Sequence, residues 1–162
     1  MVAAVALARK PSPSPGVEEL VTSVHDVMKL VLHHAQPALE AEGISMGQFW
    51  ALHLVSSLRT ASLSTIARHL SVSAPTVCAN IDLLEAAGLV TRRRSALDRR
   101  AVVLSLTPKG RRTESRIWSQ LSKIMTEAAK EIAAEDVGTA ARVFQELGHR
   151  LEPPALRPEV AA

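Results

Sequence analysis

From Val17 onward the apolar positions 17, 20, 21, 24, 27, 28, 31, 32 and 35 recur at i, i+3, i+4 spacing, which predicts a long amphipathic helix with one wide apolar face. Pro37 is expected to kink or end this helix, and Gly43 to close the segment. A second helical run, Met46 to Leu58, carries Phe49, Trp50, Leu52, Leu54 and Val55. Leu63, Ile66, Ala67 and Leu70 then make a short helix, Ser71-Val72-Ser73 a tight connection, and Pro75, Val77, Ile81 and Leu84 a further helix ended by Gly88. This is helix-turn-helix spacing. Ser73 suits the N-cap because its hydroxyl can accept a main-chain N–H of the first turn, and Pro75 falls where its missing donor costs nothing. Small Ala67 lets the two helices approach, and Val72 is expected to plug the gap between them. Gly88 reads as the left-handed residue after a helix end, with Leu89 folding back.

After Gly88 the period changes. Residues 89 to 94 and 101 to 107 are rich in Val, Thr, Leu and Arg, with Val102, Leu104 and Leu106 alternating against Val103, Ser105 and Thr107, so they predict two antiparallel strands. The connecting loop, Ser95 to Arg100, is longer than a tight turn and holds Asp98, Arg99 and Arg100. A helix-turn-helix followed at once by a basic hairpin is a winged helix. Thr107-Pro108 then caps a long helix with apolar positions Ile117, Leu121, Ile124, Met125, Ala128 and Ile132, and Asp136 can start a last helix carrying Val137, Ala140, Ala141, Phe144, Leu147 and Leu151. The fold class is therefore mainly α, in the α+β sense, with one small sheet.

Composition narrows the chemistry. At 162 residues and 47% hydrophobic content the chain is expected to be one globular domain. No apolar run reaches the roughly 18 to 20 residues of a membrane span, and the short Val2 to Ala8 stretch lacks a preceding basic region, so a cytoplasmic protein with no membrane partner is expected. One cysteine, Cys78, gives no disulfide framework and no CxxC motif. Aromatic residues are 2% and tyrosine is absent, so Leu, Val, Ile and Ala must fill the core. No catalytic triad, paired-carboxylate motif, Gly-rich phosphate loop or metal-ligand cluster stands out, and no two of the six histidines lie at i, i+4 spacing. Neither an enzyme, a cofactor nor a metal is expected. Net charge is only +3, yet the segment Arg92 to Arg112 holds eight basic residues against Asp98, a local +7 that leaves −4 for the remainder. Such local density is the footprint of a polyanion-binding protein.

The order of these features resembles the MarR (multiple antibiotic resistance regulator) family of winged helix-turn-helix transcription factors. The likeness spans roughly residues 17 to 151. It is carried by Leu63-Ser64-Thr65-Ile66-Ala67-Arg68-His69-Leu70, by Ser73-Ala74-Pro75-Thr76-Val77, and by Asp82-Leu83-Leu84-Glu85-Ala86-Ala87-Gly88-Leu89-Val90. The wing, Asp98-Arg99-Arg100-Ala101-Val102 running into Leu104-Ser105-Leu106-Thr107-Pro108-Lys109-Gly110, is its most diagnostic stretch. The resemblance implies a homodimer in which the first helix and the last two interlock, with double-stranded DNA carrying a pseudo-palindromic operator as partner and repression as the usual outcome. The chain then divides into a disordered or extended arm (1–15), a dimerisation helix (16–45), the winged DNA-binding region (46–107), C-terminal dimerisation helices (108–152) and a frayed tail (153–162).

The second helix of the motif should enter a major groove, which makes Ser73, Ala74, Thr76, Val77 and Asn80 candidate DNA contacts, with Cys78 and Ala79 beside them. Ala74 and Ala79 stand where the family often has a long basic residue, so Thr76 and Asn80 carry more of the direct readout and affinity leans on Arg92, Arg93, Arg94 and the wing. Asp98 resembles the family's loop-shaping aspartate, with one of Arg99 and Arg100 reaching the minor groove while the other braces it. Those alanines also motivate a rival reading: a dimeric protein-interaction module with a weakened DNA surface. Family members commonly bind small aromatic or lipophilic effectors where the dimerisation helices meet the wing domain. His33, Trp50, His53 and Trp118 supply the rings near that junction and are the candidate effector residues.

Overall fold

The computed structural model describes residues 15–58, 61–94 and 102–151. Among these, the elements in chain order are α1 (Pro15–Glu42), α2 (Met46–Ser57), α3 (Leu63–Leu70), α4 (Ala74–Ala86), β1 (Val90–Arg94), β2 (Val102–Leu106), α5 (Pro108–Ala128) and α6 (Ala134–Leu151). The arm before residue 15, the wing loop 95–101 and the tail from residue 152 lie outside the described residues.

Hydroxyl caps set the helix starts of the winged region. The Ser45, Ser62, Ser73 and Thr107 oxygens accept from the main-chain N–H of Gln48 (3.2 Å), Thr65 (3.2 Å), Thr76 (3.3 Å) and Gly110 (2.9 Å). Each satisfies a donor that the first helical turn leaves without an internal partner. At α2 the arrangement is reciprocal, because the Gln48 side chain accepts from the Ser45 N–H at 2.6 Å.

The helix ends are equally local. Gly43 and Gly88 sit at φ +67° and +69°, in the left-handed region that favours glycine. The Gly88 N–H donates to Glu85 O and the Leu89 N–H to Leu84 O, both at 2.9 Å, which turns the chain back on α4 and buries Leu89, as the sequence predicts. In the helix-turn-helix connection the left-handed residue is Ser71 (φ 53°), with Val72 N–H donating to Ala67 O at 3.1 Å.

Three expectations are corrected. Helix α1 does not end at Pro37 but continues to Glu42, with Pro37 on its exposed side, where the proline costs the helix one donor. Val72 is 40% exposed and does not plug the gap between α3 and α4, which Ile66, Val77 and Ile81 fill at 0% exposure. The apolar repeat of α5 carries on to Ile132, but the helix ends at Ala128, and Ile132 stands 54% exposed in the following turn.

Strands β1 and β2 pair antiparallel from Val90↔Leu106 to Arg94↔Val102, and Ala61 adds a bridge to Leu104 through a 2.9 Å hydrogen bond. The core unites Ala35 and Leu39 of α1 with Phe49, Leu52, Ile66, Ile81, Leu84, Leu89, Val90, Leu104 and Ile117. It therefore seats α2, α3, α4 and the wing strands on the first half of α5. The remaining apolar faces are uncovered. Val17, Val21, Val27, Met28 and Leu30 of α1 are 47–63% exposed, and α6 has no buried residue although it presents Val137, Val143, Phe144 and Leu151.

Candidate nucleic-acid interface

Core packing decides which face of α4 looks outward. Val77, Ile81 and Leu84, at i, i+4, i+7, are fully buried, so the opposite face is left to solvent. Ser73, Ala74, Thr76, Ala79 and Leu83 are exposed there. Val77 is thus corrected from DNA contact to core residue: its spacing belongs to the inward stripe. Asn80 is half-buried, with its amide nitrogen beside Gly47 of α2, so it turns from the outward face toward the neighbouring helix. The Thr76 and Ser73 hydroxyls lie 2.7 Å apart and form one polar patch at the helix start. Helix α4 contains no lysine or arginine. Cys78 is half-buried and donates weakly to Asp82 Oδ2 at 3.7 Å.

The strand beside it supplies charge. Alternation along β1 puts Val90 and Arg92 on the face toward the core and Thr91 and Arg93 on the other, and Arg93 is exposed. Arg92 is differently placed. Its Nη1 donates to Glu85 Oε2 at 2.8 Å and its Nη2 to Asp82 Oδ1 at 2.5 Å, while its main-chain N–H reaches Glu85 Oε1 at 3.4 Å. The hydrogen bond to Asp82 raises the guanidinium pKa above its already high ordinary value, against desolvation that lowers it. The expected phosphate contact of Arg92 is therefore held within the chain. Arg94 pairs with Val102 at the end of the sheet, and Asp98, Arg99 and Arg100 fall in the loop outside the described residues. Further basic side chains frame the start of α5, where Lys109 Nζ donates to Ala87 O and Arg111 Nη1 to Leu106 O, both at 2.9 Å.

Three of the four ring residues expected to meet do so. His53 stacks on Trp118 with centroids 4.4 Å apart and planes 8° from parallel, and Trp50 meets it edge-on at 6.0 Å. Glu114 fixes the imidazole through a 2.8 Å contact to Nδ1. Both indoles keep substantial exposure, 37% for Trp50 and 44% for Trp118. His33 does not join them: it lies on the exposed part of α1, with its ring 5.5 Å from that of His34. Among the described residues no group of His, Cys, Asp and Glu is arranged to hold a metal ion, and no helix is long and apolar enough to cross a membrane.

Comparison with known proteins decides the family. Residues 42–101 match the model of the MarR family. Over 112 residues, 67% of each chain, the sequence is 30% identical to the HTH-type transcriptional repressor YetL of Bacillus subtilis. The chain belongs to the MarR family of DNA-binding transcription regulators. Its fold is that of MarR structures. A MarR family protein from Bacillus stearothermophilus superposes with TM-score 0.76 at 17% identity, covering 88% of this chain and 100% of that one. The Staphylococcus aureus MarR in complex with salicylate and kanamycin gives 0.74 at 22% identity, over 83% and 91%. The transcriptional repressor CouR bound to a 23-mer DNA duplex gives 0.65 at 24% identity, over 86% and 98%.

Within this MarR frame, two working parts escape the sequence reading. Asp82 and Glu85 look like ordinary solvent-facing acids at i, i+3 until β1 is laid against α4 and Arg92 falls between them. Gly110 belongs to the quoted Thr107-Pro108-Lys109-Gly110 stretch, but its reason is spatial. A Cβ there would lie 2.0 Å from the carbonyl oxygen of Leu89. Thr107 knots the same place, donating its hydroxyl to Gly88 O at 2.7 Å and its N–H to Leu89 O at 3.0 Å.

Proposed function

We propose that this MarR-family chain acts as a homodimeric, sequence-specific repressor that a small aromatic or lipophilic effector releases from pseudo-palindromic DNA. The observation that carries the reading is the pairing of an outward, capped α4 face (Ser73, Ala74, Thr76) with an adjacent basic strand and hairpin, on a chain whose α1 and α6 leave wide apolar faces uncovered. In this reading α4 enters the major groove, Arg93 and Arg94 serve phosphates, and Arg99 and Arg100 with Asp98 form the minor-groove end of the wing. With no basic residue on α4, base reading falls to the Thr76 hydroxyl and to methyl groups of Thr76, Ala74 and Ala79, which suit the thymine methyl. Asn80, half-buried, takes a lesser part than the sequence suggests. Segments 16–45 and 108–152 form the dimer core, where apolar surface of this extent finds its cover in a second copy.

The effector seat is the aromatic surface at the junction of α2 and α5. Two half-exposed indoles flanking a carboxylate-fixed imidazole offer flat faces for stacking an aromatic ring. A ligand there favours one angle between the wing domain and the dimer helices, and it shifts the spacing of the two α4 helices by its differential affinity alone. Solved relatives support an aromatic class of effector: a Staphylococcus aureus MarR is in complex with salicylate and kanamycin, and CouR from Rhodococcus jostii is bound to p-coumaroyl-CoA.

Selection of duplexes from a random pool tests the reading. The expected product is an inverted repeat whose half-sites are centred about one helical turn, roughly 34 Å, apart. A single unrepeated site would remove the dimeric arrangement, and no enrichment at all would favour a protein-interaction module.

A further inference from the structure

We infer that Arg92 is a positioning residue, which locks the DNA-reading helix α4 to the wing strand β1 through Asp82 and Glu85 and does not itself bind phosphate. The inference rests on the DNA-binding reading of α4 and the wing. Both ends of the guanidinium are occupied, Nη1 by Glu85 at 2.8 Å and Nη2 by Asp82 at 2.5 Å. With each Nη committed to a carboxylate, the guanidinium is not free to turn to a phosphate. Strand geometry agrees, because Arg92 pairs with Leu104, itself buried, and shares the core-facing side of β1 with Val90. Its neighbour Arg93 faces the other way and is exposed.

The clamp also sits where it has leverage. Helix α4 and β1 are joined by the three residues 87–89, closed around left-handed Gly88. On the inner side of that turn Leu84, Leu89 and Val90 are buried; on the outer side the Asp82–Arg92–Glu85 contacts span it. Glu85 accepts from both the side chain and the main-chain N–H of Arg92, so it fixes the strand backbone as well as the guanidinium. The angle between a major-groove helix and a wing reaching the neighbouring groove is thereby held from two sides. Loss of the clamp should blur discrimination between sequences more than it weakens attraction to DNA as such.

The test measures affinity across a salt series for a duplex selected by the wild-type protein and for a scrambled duplex. A phosphate contact and a positioning role give opposite results. For Arg92→Gln the expected outcome is a loss of on the order of tenfold on the selected duplex, little change on the scrambled one, and an unchanged salt slope. Asp82→Asn and Glu85→Gln should reproduce the loss of discrimination, the double variant Arg92→Gln/Asp82→Asn should be no worse than either single one, and Arg92→Lys should recover part of it. A fall of about 0.9 in the magnitude of the slope for Arg92→Gln, equal losses on both duplexes, or tighter binding by Asp82→Asn would overturn the inference. Should Arg92→Gln fail to fold, Asp82→Asn decides alone by the sign of its effect. A wild-type protein that binds no duplex would count against the DNA-binding reading and not against the clamp.

Discussion

Gly110→Ala is expected to destabilise the protein by about 3 kcal/mol or more, although Gly to Ala inside a helix ordinarily stabilises by about 1 kcal/mol. The sign reverses because the added methyl would stand 2.0 Å from Leu89 O and 2.9 Å from its carbon, both main-chain atoms that no side-chain rotation can move aside. Relief requires the first turn of α5 to lift from the end of α4. That strains the Gly110 N–H bond to Thr107, the Thr107 hydroxyl bond to Gly88 and the Thr107 N–H bond to Leu89. Those contacts attach the winged domain to α5, the helix assigned to the proposed dimer core, so DNA binding should fall with stability. Chemical denaturation checks this, with Gly47→Ala as comparison, since a Cβ at Gly47 meets ordinary contacts, with Asn80 Nδ2 at 3.6 Å and Ser45 Oγ at 4.0 Å. A Gly110→Ala protein within about 1 kcal/mol of wild type would show that the close approach is not required.

Phe144→Glu should dissolve the proposed dimer. Phe144 is 50% exposed on α6, and α6 buries no residue against its own chain. In proteins, helices of this length owe most of their stability to a packed amphipathic face, so the order of α6 needs a cover from outside the chain. Burial of a phenylalanine contributes about 1.5–3 kcal/mol, and a two-fold interface counts it twice. Removing both should raise the dimer dissociation constant by about a thousandfold. Sedimentation should then show half the mass, or aggregates, with a loss of helical circular dichroism corresponding to α6. Unchanged mass and helicity would show that α6 has another role. Leu121 is a poorer probe than the apolar repeat suggests, because it is 9% exposed and belongs to the core of its own chain.

Much of this architecture is legible in the residues because it is local. Ser73 before α4, Thr107-Pro108 before α5, Gly43 and Gly88 at helix ends, and the change of period after Gly88 each act within a few positions, and the elements stand where these signals put them. Site residues are read less well because their roles depend on neighbours distant in sequence. Val77 looks like part of an outward run until Ile81 and Leu84 show it on the buried stripe. Arg92 counts as one more positive charge until β1 is placed against Asp82 and Glu85. His33 has the right chemistry for the aromatic surface, but α1 places it on its exposed side, whereas Glu114, which no pattern singles out, arrives beside His53 from 61 positions away.

The central claim is that the α4 face and the basic hairpin form a DNA-binding surface in a neutral-to-acidic body. Its most direct test is the affinity of the wild-type protein for random-sequence duplex across a salt series. Each phosphate neutralised contributes about 0.9 to the slope of log affinity against log salt, so a dimer bringing two such hairpins should give a negative slope of about 4 or steeper. Weak binding with a flat response would contradict the account.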